Sequence, residues 1–442
     1  MQRALYSWLV VLALVVAGCG GSPALRNPTP SPVPAASVLP GLGIGIGLGP
    51  TASGGITALP PAAGQGGAPA WVQPGTRLVF YGRTASIVRS GYTYVEDEGG
   101  DWVDPQTGKH YRRTDQGDSP EDMPSSAAQA FTTTDVLAVD ASNVVLQNTL
   151  YSLDLLANQF TLNPLGGGPT PGAAVDGGWV NPTVLNQAVT SGYQGMQILR
   201  GPYVLGGTQY DAVSFISRSE GGAYSASSFD AASGVLLGTT SIVPAAGAPV
   251  HGPLDDPQGN VQSTIIRFVG VRQRTIPGLT ADAPGWVATT TTLTYQGTYL
   301  QVNKEDPSGS SWSWPLAQTV TFGDGGASWR MFTTDTAVTI NGSQQSSQAA
   351  GVTSGAGLYW YDPASLAGFS VGDILDEDPI LSIRTVVAAV DETPSGETVT
   401  IASEMNGVST RLVYSRGNGI LLSVEVAQSV TGVTISLQLS NG

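Results

Sequence analysis

PAWVQPGTRLVFYG at 69–82 returns as PGWVATTTTLTYQG at 284–297, with Trp71 aligned to Trp286. Three more blocks repeat later in the chain and in the same order. They are AFTTTDVLAVDAS at 130–142 with MFTTDTAVTINGS at 331–343, GGWVNPTVL at 177–185 with LYWYDPASL at 358–366, and FDAASGVLL at 229–237 with YSRGNGILL at 414–422. Four matches in one order predict a duplication. Because the period is far longer than that of a solenoid or a propeller blade, each copy is predicted to be a whole domain.

Within each copy the local pattern favours strands. Residues 76–81 alternate Thr76, Leu78 and Phe80 with Arg77, Val79 and Tyr81, which is the period of two expected of a strand. The same β-branched pattern predicts strands at 399–402, 410–414 and 421–426. Turn residues at 230–234 and 416–419 separate two apolar runs, so each copy is predicted to end in a hairpin.

Two dipeptides predict the start of a helix. Asn181-Pro182 and Asp362-Pro363 each place a capping side chain before a proline at the first helical position. The predicted fold class is therefore mainly β: two tandem homologous antiparallel domains, each a barrel or a curved half-barrel with one short helix. This outline is loosely similar to the periplasmic lipoprotein-carrier fold, a curved sheet closed by helices, although no motif specific to that family is present.

The composition suggests where the domains begin and end. Residues 20–70 contain ten prolines and twelve glycines with Arg26 as the only charge, which is typical of a linker that buries no core. We predict a signal peptide at 1–18, an anchored linker at 19–70, copy 1 at 71–250 and copy 2 at 284–442. A connecting segment is predicted at 251–283, and copy 1 has a charged insertion at about 94–124.

Cys19 is the only cysteine in the 442-residue chain and follows an apolar stretch from Trp8 to Ala17. Arg3 precedes that stretch, and a positive start, an apolar middle and small residues at the cut are typical of a secretory signal peptide. VAGC at 16–19 resembles the lipobox of bacterial lipoproteins, with valine where that family prefers leucine. The resemblance implies a diacylglycerol on the Cys19 thiol, cleavage before Cys19 and acylation of the new amine, for example by palmitate. Two or more acyl chains anchor a protein stably. A plain signal peptide cut near Cys19 is the alternative.

The charge balance limits the partners. Without Arg3 the chain carries 17 basic and 33 acidic groups, so binding to nucleic acid or adhesion to anionic lipid is not expected. The expected partners are the membrane, through the lipid on Cys19, and an envelope protein, lipid or glycan. No cofactor is predicted.

Carboxylates are the most plentiful functional groups. The insertion holds weak calcium candidates, since calcium prefers several oxygen ligands. These are Asp97, Glu98, Asp101 and Asp104. A second acidic group consists of Asp373, Asp376, Glu377 and Asp378. No twelve-residue calcium loop is present, so both groups are interpreted as solvated loops and no metal site is predicted.

A catalytic constellation is not found in the sequence. GFSVG at 368–372 fits the nucleophile-elbow string around Ser370, but that motif needs a later histidine. The two histidines, His110 and His251, both precede Ser370. The two histidines are isolated, and without cysteines they cannot form the usual set of zinc ligands. Ser370 is therefore interpreted as a turn residue, and His110 and His251 as loop residues.

The tryptophans and tyrosines of copy 2 allow two interpretations. Exposed, they would suit a sugar-stacking platform or an apolar pocket. Trp360 aligns with Trp179, and a residue retained in both copies favours a shared core. The remaining aromatic residues of the group are predicted to belong to the core as well: Trp312, Trp314, Trp329, Tyr359 and Tyr361.

Two functions remain open at this point. The first is a non-enzymatic binding or scaffolding lipoprotein on the extracytoplasmic side of a membrane, at the outer membrane or cell surface, with an apolar cup for a lipid or acyl chain as a variant. The second is a carbohydrate-active hydrolase that uses paired carboxylates.

Overall fold

The computed structural model describes residues 67–87, 95–96, 102–103, 110–111, 125–140, 143–154, 158–171, 178–192, 196–218, 223–244, 261–290, 292–304, 309–340 and 342–441. Cys19 and the calcium candidates Asp97, Glu98, Asp101 and Asp104 lie outside these residues. The same holds for His251.

Antiparallel strands make up most of the described chain. The strands before residue 274 are β1 Thr76–Ile87, β2 Val95–Glu96, β3 Trp102–Val103, β4 His110–Tyr111, β5 Ser125–Val139, β6 Asn143–Asp154, β7 Gln159–Pro171, β8 Gln197–Leu205, β9 Thr208–Arg218, β10 Tyr224–Asp230, β11 Leu236–Pro244 and β12 Val261–Gln273. The later strands are β13 Thr292–Val302, β14 Ser311–Gly325, β15 Trp329–Ile340, β16 Ser343–Ser354, β17 Ile374–Asp378, β18 Ile383–Thr393, β19 Gly396–Met405, β20 Val408–Ser415, β21 Leu421–Gln428 and β22 Val433–Asn441.

The described helices are short: α1 Pro182–Ser191, α2 Gly285–Thr289 and α3 Pro363–Gly368. The two predicted helix starts are confirmed. The Asn181 side chain accepts a hydrogen bond from the Thr183 N–H at 2.9 Å, and Asp362 accepts from the Ser365 N–H at 2.9 Å. Copy 2 has the extra helix α2. Among the described residues, none of the helices combines the length and the apolar character needed to cross a bilayer.

The two large sheets share one strand order, except that the second has an additional edge strand, β17. The first runs β7-β6-β5-β1-β12-β11-β10-β9-β8, and the second runs β16-β15-β14-β13-β22-β21-β20-β19-β18-β17. In each copy the chain starts mid-sheet, builds strands to one edge, crosses with a helix to the other edge and returns to pair with the first strand. The predicted fold class, two tandem antiparallel β domains, is confirmed. In the described residues both sheets are open at their edges, which favours the half-barrel over the closed barrel.

Three of the four repeated blocks occupy equivalent positions. Trp179 bridges to Val235 and Trp360 bridges to Ile420 in the same way, and both indoles are fully buried. The Trp71 indole N–H donates to the Ser233 carbonyl at 2.8 Å, and the Trp286 indole N–H donates to the Asn418 carbonyl at 2.7 Å. These tryptophans therefore close the same end of each sheet.

The remaining block was aligned wrongly. Residues 130–142 lie mostly in β5, which pairs with β1, whereas residues 331–343 lie mostly in β15, one strand further from β13. The strand equivalent to β5 is β14. Neighbouring antiparallel strands carry similar runs of threonine and β-branched residues, so a local match does not distinguish one from the next.

The end of copy 1 and the insertion also differ from the expectation. The hairpins at 230–234 and 416–419 form, but β12 and β22 follow them, and β12 lies inside the stretch predicted as a connecting segment. Within the insertion at 94–124, the described residues form a small separate sheet of order β2-β3-β4 rather than only a loop.

Each copy has its own core, and two smaller apolar clusters join the copies. Leu78 and Phe80 of β1 face the core of copy 1, together with Trp179. Val79, on the opposite face of β1, packs in a cluster with Leu381 of copy 2. Because both faces of β1 are buried, one by its own domain and one by the other domain, the two copies pack against each other directly.

Candidate functional site

Charged side chains are enclosed where β1 meets copy 2. Arg77 on β1 lies directly opposite Asp135 on β5 in the first sheet. Its Nε is 2.7 Å from Asp135 Oδ1 and its Nη2 is 2.8 Å from Asp135 Oδ2. This two-bond geometry matches the planar guanidinium to the carboxylate and is among the stronger pairings of side chains.

Strand β17 of copy 2 brings a second carboxylate to Arg77. Asp378 Oδ2 accepts a hydrogen bond from Arg77 Nη1 at 2.9 Å. Asp378 Oδ1 accepts from the backbone N–H groups of Ile380 at 3.0 Å and Leu381 at 3.2 Å. Asp378 is therefore held both by its own turn and by the other domain.

Two more arginines complete the network: Arg272 at the end of β12 and Arg274 just after it. Arg272 Nη2 lies 2.9 Å from both Asp376 oxygens and 3.3 Å from Asp378 Oδ2. Arg274 Nη2 lies 3.0 Å from Asp135 Oδ1, but its Nη1 is 3.6 Å from Asp376 Oδ2, beyond hydrogen-bond distance. The buried Nε atoms of Arg272 and Arg274 have no hydrogen-bond partner among the described residues.

Burial and pairing act in opposite directions on these groups. Burial raises the pKa of Asp135, but the neighbouring Arg274 and Arg77 charges outweigh it and hold that pKa below its usual range. For Asp378 burial is again outweighed, here by hydrogen bonding to Arg77, and its pKa is lowered. Burial lowers the pKa of Arg274, and repulsion by Arg77 and Arg272 lowers it further. Attraction by Asp135 and Asp376 raises this pKa but offsets only part of the decrease.

A cavity of about 270 Å³ lies beside this network, between the two copies. One wall comes from alternate residues of β18, β19 and β20, which include Ile383, Ile401, Met405, Val408 and Leu412. The side chains that close it from copy 1 and the residues after β12 are Arg77, Tyr151, Leu162, Arg274 and Ile276. The cavity therefore has an apolar wall and a charged end, and neither domain forms it alone.

Several polar groups also line the cavity. Thr385 and Ser403 satisfy each other at 2.8 Å. The Tyr361 hydroxyl is buried and has no hydrogen-bond partner among the described residues. Among the lining residues the carboxylates are Asp376 and Glu404. Arg272 binds Asp376 through both oxygens, so this carboxylate is held as an ion pair rather than presented as half of a hydrolytic pair.

The expectations for the second acidic group are partly wrong. Asp376 and Asp378 were interpreted as solvated, but both are paired with arginines of the other domain, and Asp378 is only 1% exposed. Asp373 and Glu377 are exposed as expected. No cluster of three or more metal-ligating side chains occurs in the described part of the chain.

Ser370 lies in an exposed turn after α3. Its backbone N–H donates to Asp373 Oδ2 at 2.8 Å, which is the turn geometry expected of it. The aromatic expectation holds for Tyr359, Trp360 and Tyr361, which are buried, whereas Trp312 is 43% exposed.

Neither the repeats nor the catalytic and metal-binding motifs of the sequence indicate the charged network. By register, Arg77 corresponds to Thr292 and Asp135 to Thr321, which lie opposite each other in the second sheet. The charged pair is therefore specific to copy 1. An arginine in the middle of an apolar strand, as in TRLVF at 76–80, was the one available signal.

Comparison with known proteins gives little further information. No protein-family model matches the chain, and no curated protein matches it. One similar solved structure is that of MucB in complex with MucA(peri), at 13% identity over 82% of this chain and 88% of that chain. The TM-score is 0.20, so this weak similarity supports no conclusion about this chain.

Proposed function

We propose that this protein is an extracytoplasmic lipoprotein, tethered through Cys19, that works without catalysis as a binding module for an apolar ligand. The observation that carries the proposal is the cavity between the copies, with its apolar wall on β18 to β20. Ligand pockets are typically concave and apolar with a few placed polar groups, and they occur preferentially at domain interfaces. The carboxylates of this cavity do not favour the alternative of a glycoside hydrolase.

Binding is tested first with a neutral fluorescent probe, N-phenyl-1-naphthylamine, whose emission rises in an apolar environment. Thr410 lines the cavity, while Ser409, next to it in β20, points to the other face of the sheet. We expect the probe to bind the parent protein and Ser409→Trp alike, and to be lost from Thr410→Trp because the indole fills the cavity. Equal binding by the two variants would place the probe elsewhere and contradict the proposal.

The tether is tested separately. Cys19→Ser removes the thiol that would carry the lipid, and no basic surface is expected to replace that anchor. Membrane fractionation after labelling with radioactive palmitate should find the parent labelled and in the membrane fraction, and the variant unlabelled and released. Label of equal intensity on the variant would refute the assignment of Cys19.

A further inference from the structure

The charged end of the cavity has hydrogen-bond donors without acceptors. Arg274 is 7% exposed and its Nε–H has no partner among the described residues, and Tyr361 is 4% exposed with a free hydroxyl. Both side chains line the cavity. Ile276, two residues after Arg274, packs against the same small apolar cluster as Ala356, and Ala356 forms a β-bridge with Tyr361. Both unsatisfied donors therefore belong to residues that line the same cavity.

Buried donors without partners cost free energy and are uncommon in native structures. Here the cost falls on two side chains that border the same empty space. A ligand that brings acceptor atoms into this cavity would recover these hydrogen bonds.

We propose that the ligand is a single-chain amphiphilic acid. Its carboxylate accepts hydrogen bonds from Arg274 and Tyr361, and its hydrocarbon chain lies along Ile401, Met405 and Leu412. This inference rests on the proposed function and adds the chemical class of the ligand to it.

The charges favour a monoanion. Arg274 Nη2 already holds Asp135 and its Nε–H is unpaired, so a ligand carboxylate would accept one charge-assisted hydrogen bond from Nε. A cationic head cannot accept this bond, and a neutral head accepts it more weakly. Asp135 and Asp376 lie near Arg274, so a doubly charged phosphate monoester would meet more repulsion than a carboxylate. A volume of about 270 Å³ is at the small end of ligand pockets, which favours one chain of moderate length over a diacyl lipid.

The test compares ligands that share a tail and differ in the head. The protein is the chain from Gly20 to its end, which keeps every residue described in the structure and needs no detergent. Isothermal titration calorimetry is performed with decanoate, 1-decanol, decylammonium and decyl phosphate, each below its micelle concentration. We expect decanoate to bind at least tenfold more tightly than each of the other three.

Variants of the two donors identify the contact. Tyr361→Phe removes a hydroxyl that makes no hydrogen bond in the described structure, so folding should be unharmed while decanoate binding weakens severalfold and decanol binding is unchanged. Arg274→Gln should abolish the preference for decanoate. Arg200→Gln removes an exposed arginine that does not line the cavity and should keep the preference.

The outcomes separate the two proposals. If decanol binds as tightly as decanoate, the proposal of an acidic ligand is wrong but the apolar site remains. The same conclusion follows if both Tyr361→Phe and Arg274→Gln leave the preference for decanoate intact. If decyl phosphate binds more tightly than decanoate, the proposal that the head group is a carboxylate is wrong. If neither decanoate nor decanol binds, and the neutral probe also fails, the proposed function itself is wrong.

Discussion

Asp135 is surrounded by two arginines in the space between the domains, with 7% of its surface exposed. Replacing it with asparagine leaves Arg77 and Arg274 buried without their shared counter-charge. Breaking a buried ion pair in this way typically costs about 3–5 kcal/mol. We therefore expect Asp135→Asn to lower the free energy of unfolding, measured by urea denaturation, by about that amount.

An exposed ion pair of the same domain provides the control. Arg200 and Asp211 lie 2.7 Å apart, with 44% and 58% of their side chains exposed. Because solvent screens this pair, Asp211→Asn should change the free energy of unfolding far less than Asp135→Asn. Equal losses in the two variants would mean that the buried network contributes no more than a surface pair.

The same carboxylates predict how stability depends on pH. The pKa values of Asp135 and Asp378 are lower in the folded protein than the usual value of about 3.9 in an unfolded chain. Their contribution is then complete above that unfolded value and is lost as the pH falls through the folded one. We expect the Tm to be nearly constant from pH 7 to 5 and to fall steeply below about pH 4.

Asp135→Asn isolates this effect from the other carboxylates. The variant lacks one of the two buried carboxylates with a depressed pKa, so its Tm should fall less steeply between about pH 4 and 3 than that of the parent. Circular dichroism melts at matched ionic strength would measure both slopes. Identical slopes would exclude Asp135 as a source of the acid sensitivity.

At this scale the sequence predicted which residues form the core but not which carboxylates pair. Trp179 and Trp360 are fully buried, as their retention in both copies indicated. The sequence predicts Asp376 and Asp378 to be solvated, because they lie in an acidic run without a calcium-loop pattern. Arg77 is 301 positions away from Asp378, and only the packing of one domain on the other brings them together.

Equivalent tight turns place the helix of each copy against its sheet. Gly234 and Gly419 have φ angles of +79° and +77°, and a Cβ at either would collide with the carbonyl oxygen of Val180 or Tyr361. Each turn also receives a backbone hydrogen bond, from Val180 N to Gly234 O at 2.8 Å and from Tyr361 N to Gly419 O at 2.9 Å. Both the conformation and the close approach require glycine.

Substitution of one of these glycines should therefore be costly. We expect Gly419→Ala to lower the free energy of unfolding by more than about 1 kcal/mol, since alanine is strained at positive φ and a backbone atom blocks its Cβ. Gly417, in the same turn, has open space around it and no positive φ. Gly417→Ala should stay within about 0.5 kcal/mol of the parent in the same chemical denaturation. A cost at Gly417 as large as at Gly419 would contradict this account.

The sequence predicted individual helices and hairpins better than it predicted which strands are equivalent in the two sheets. The capped helices and the hairpins at 230–234 and 416–419 have distinctive turn residues, and all of them form. By contrast, β5 and β15 were matched although they are not equivalent. The cavity was not predicted either, because period-two alternation along β19 and β20 reveals two faces without revealing what packs on each.

The way the copies are joined governs the whole molecule. Apolar clusters between the domains contain Leu381 with Val79, and Val352 with Leu137. The N–H of Phe160 also donates to the carbonyl of Asn406 at 2.9 Å, across the same boundary. A boundary that buries apolar groups and ion pairs together disfavours unfolding one copy while the other stays intact, because the intact copy would expose both.

We therefore expect a single calorimetric transition for the parent protein. The double variant Asp376→Asn with Asp378→Asn removes both carboxylates that β17 contributes to the network. Arg272 then has no carboxylate partner in the network, and Arg77 and Arg274 keep only Asp135. That penalty falls on the docked state and not on either core, so the transition should divide into two, with the domains unfolding separately. Glu377→Gln, on the same strand but exposed, should retain a single transition near the parental temperature.

Two transitions already in the parent would mean that the domains are not coupled. One transition in the double variant, only at lower temperature, would mean that the apolar clusters couple the domains without the ionic network.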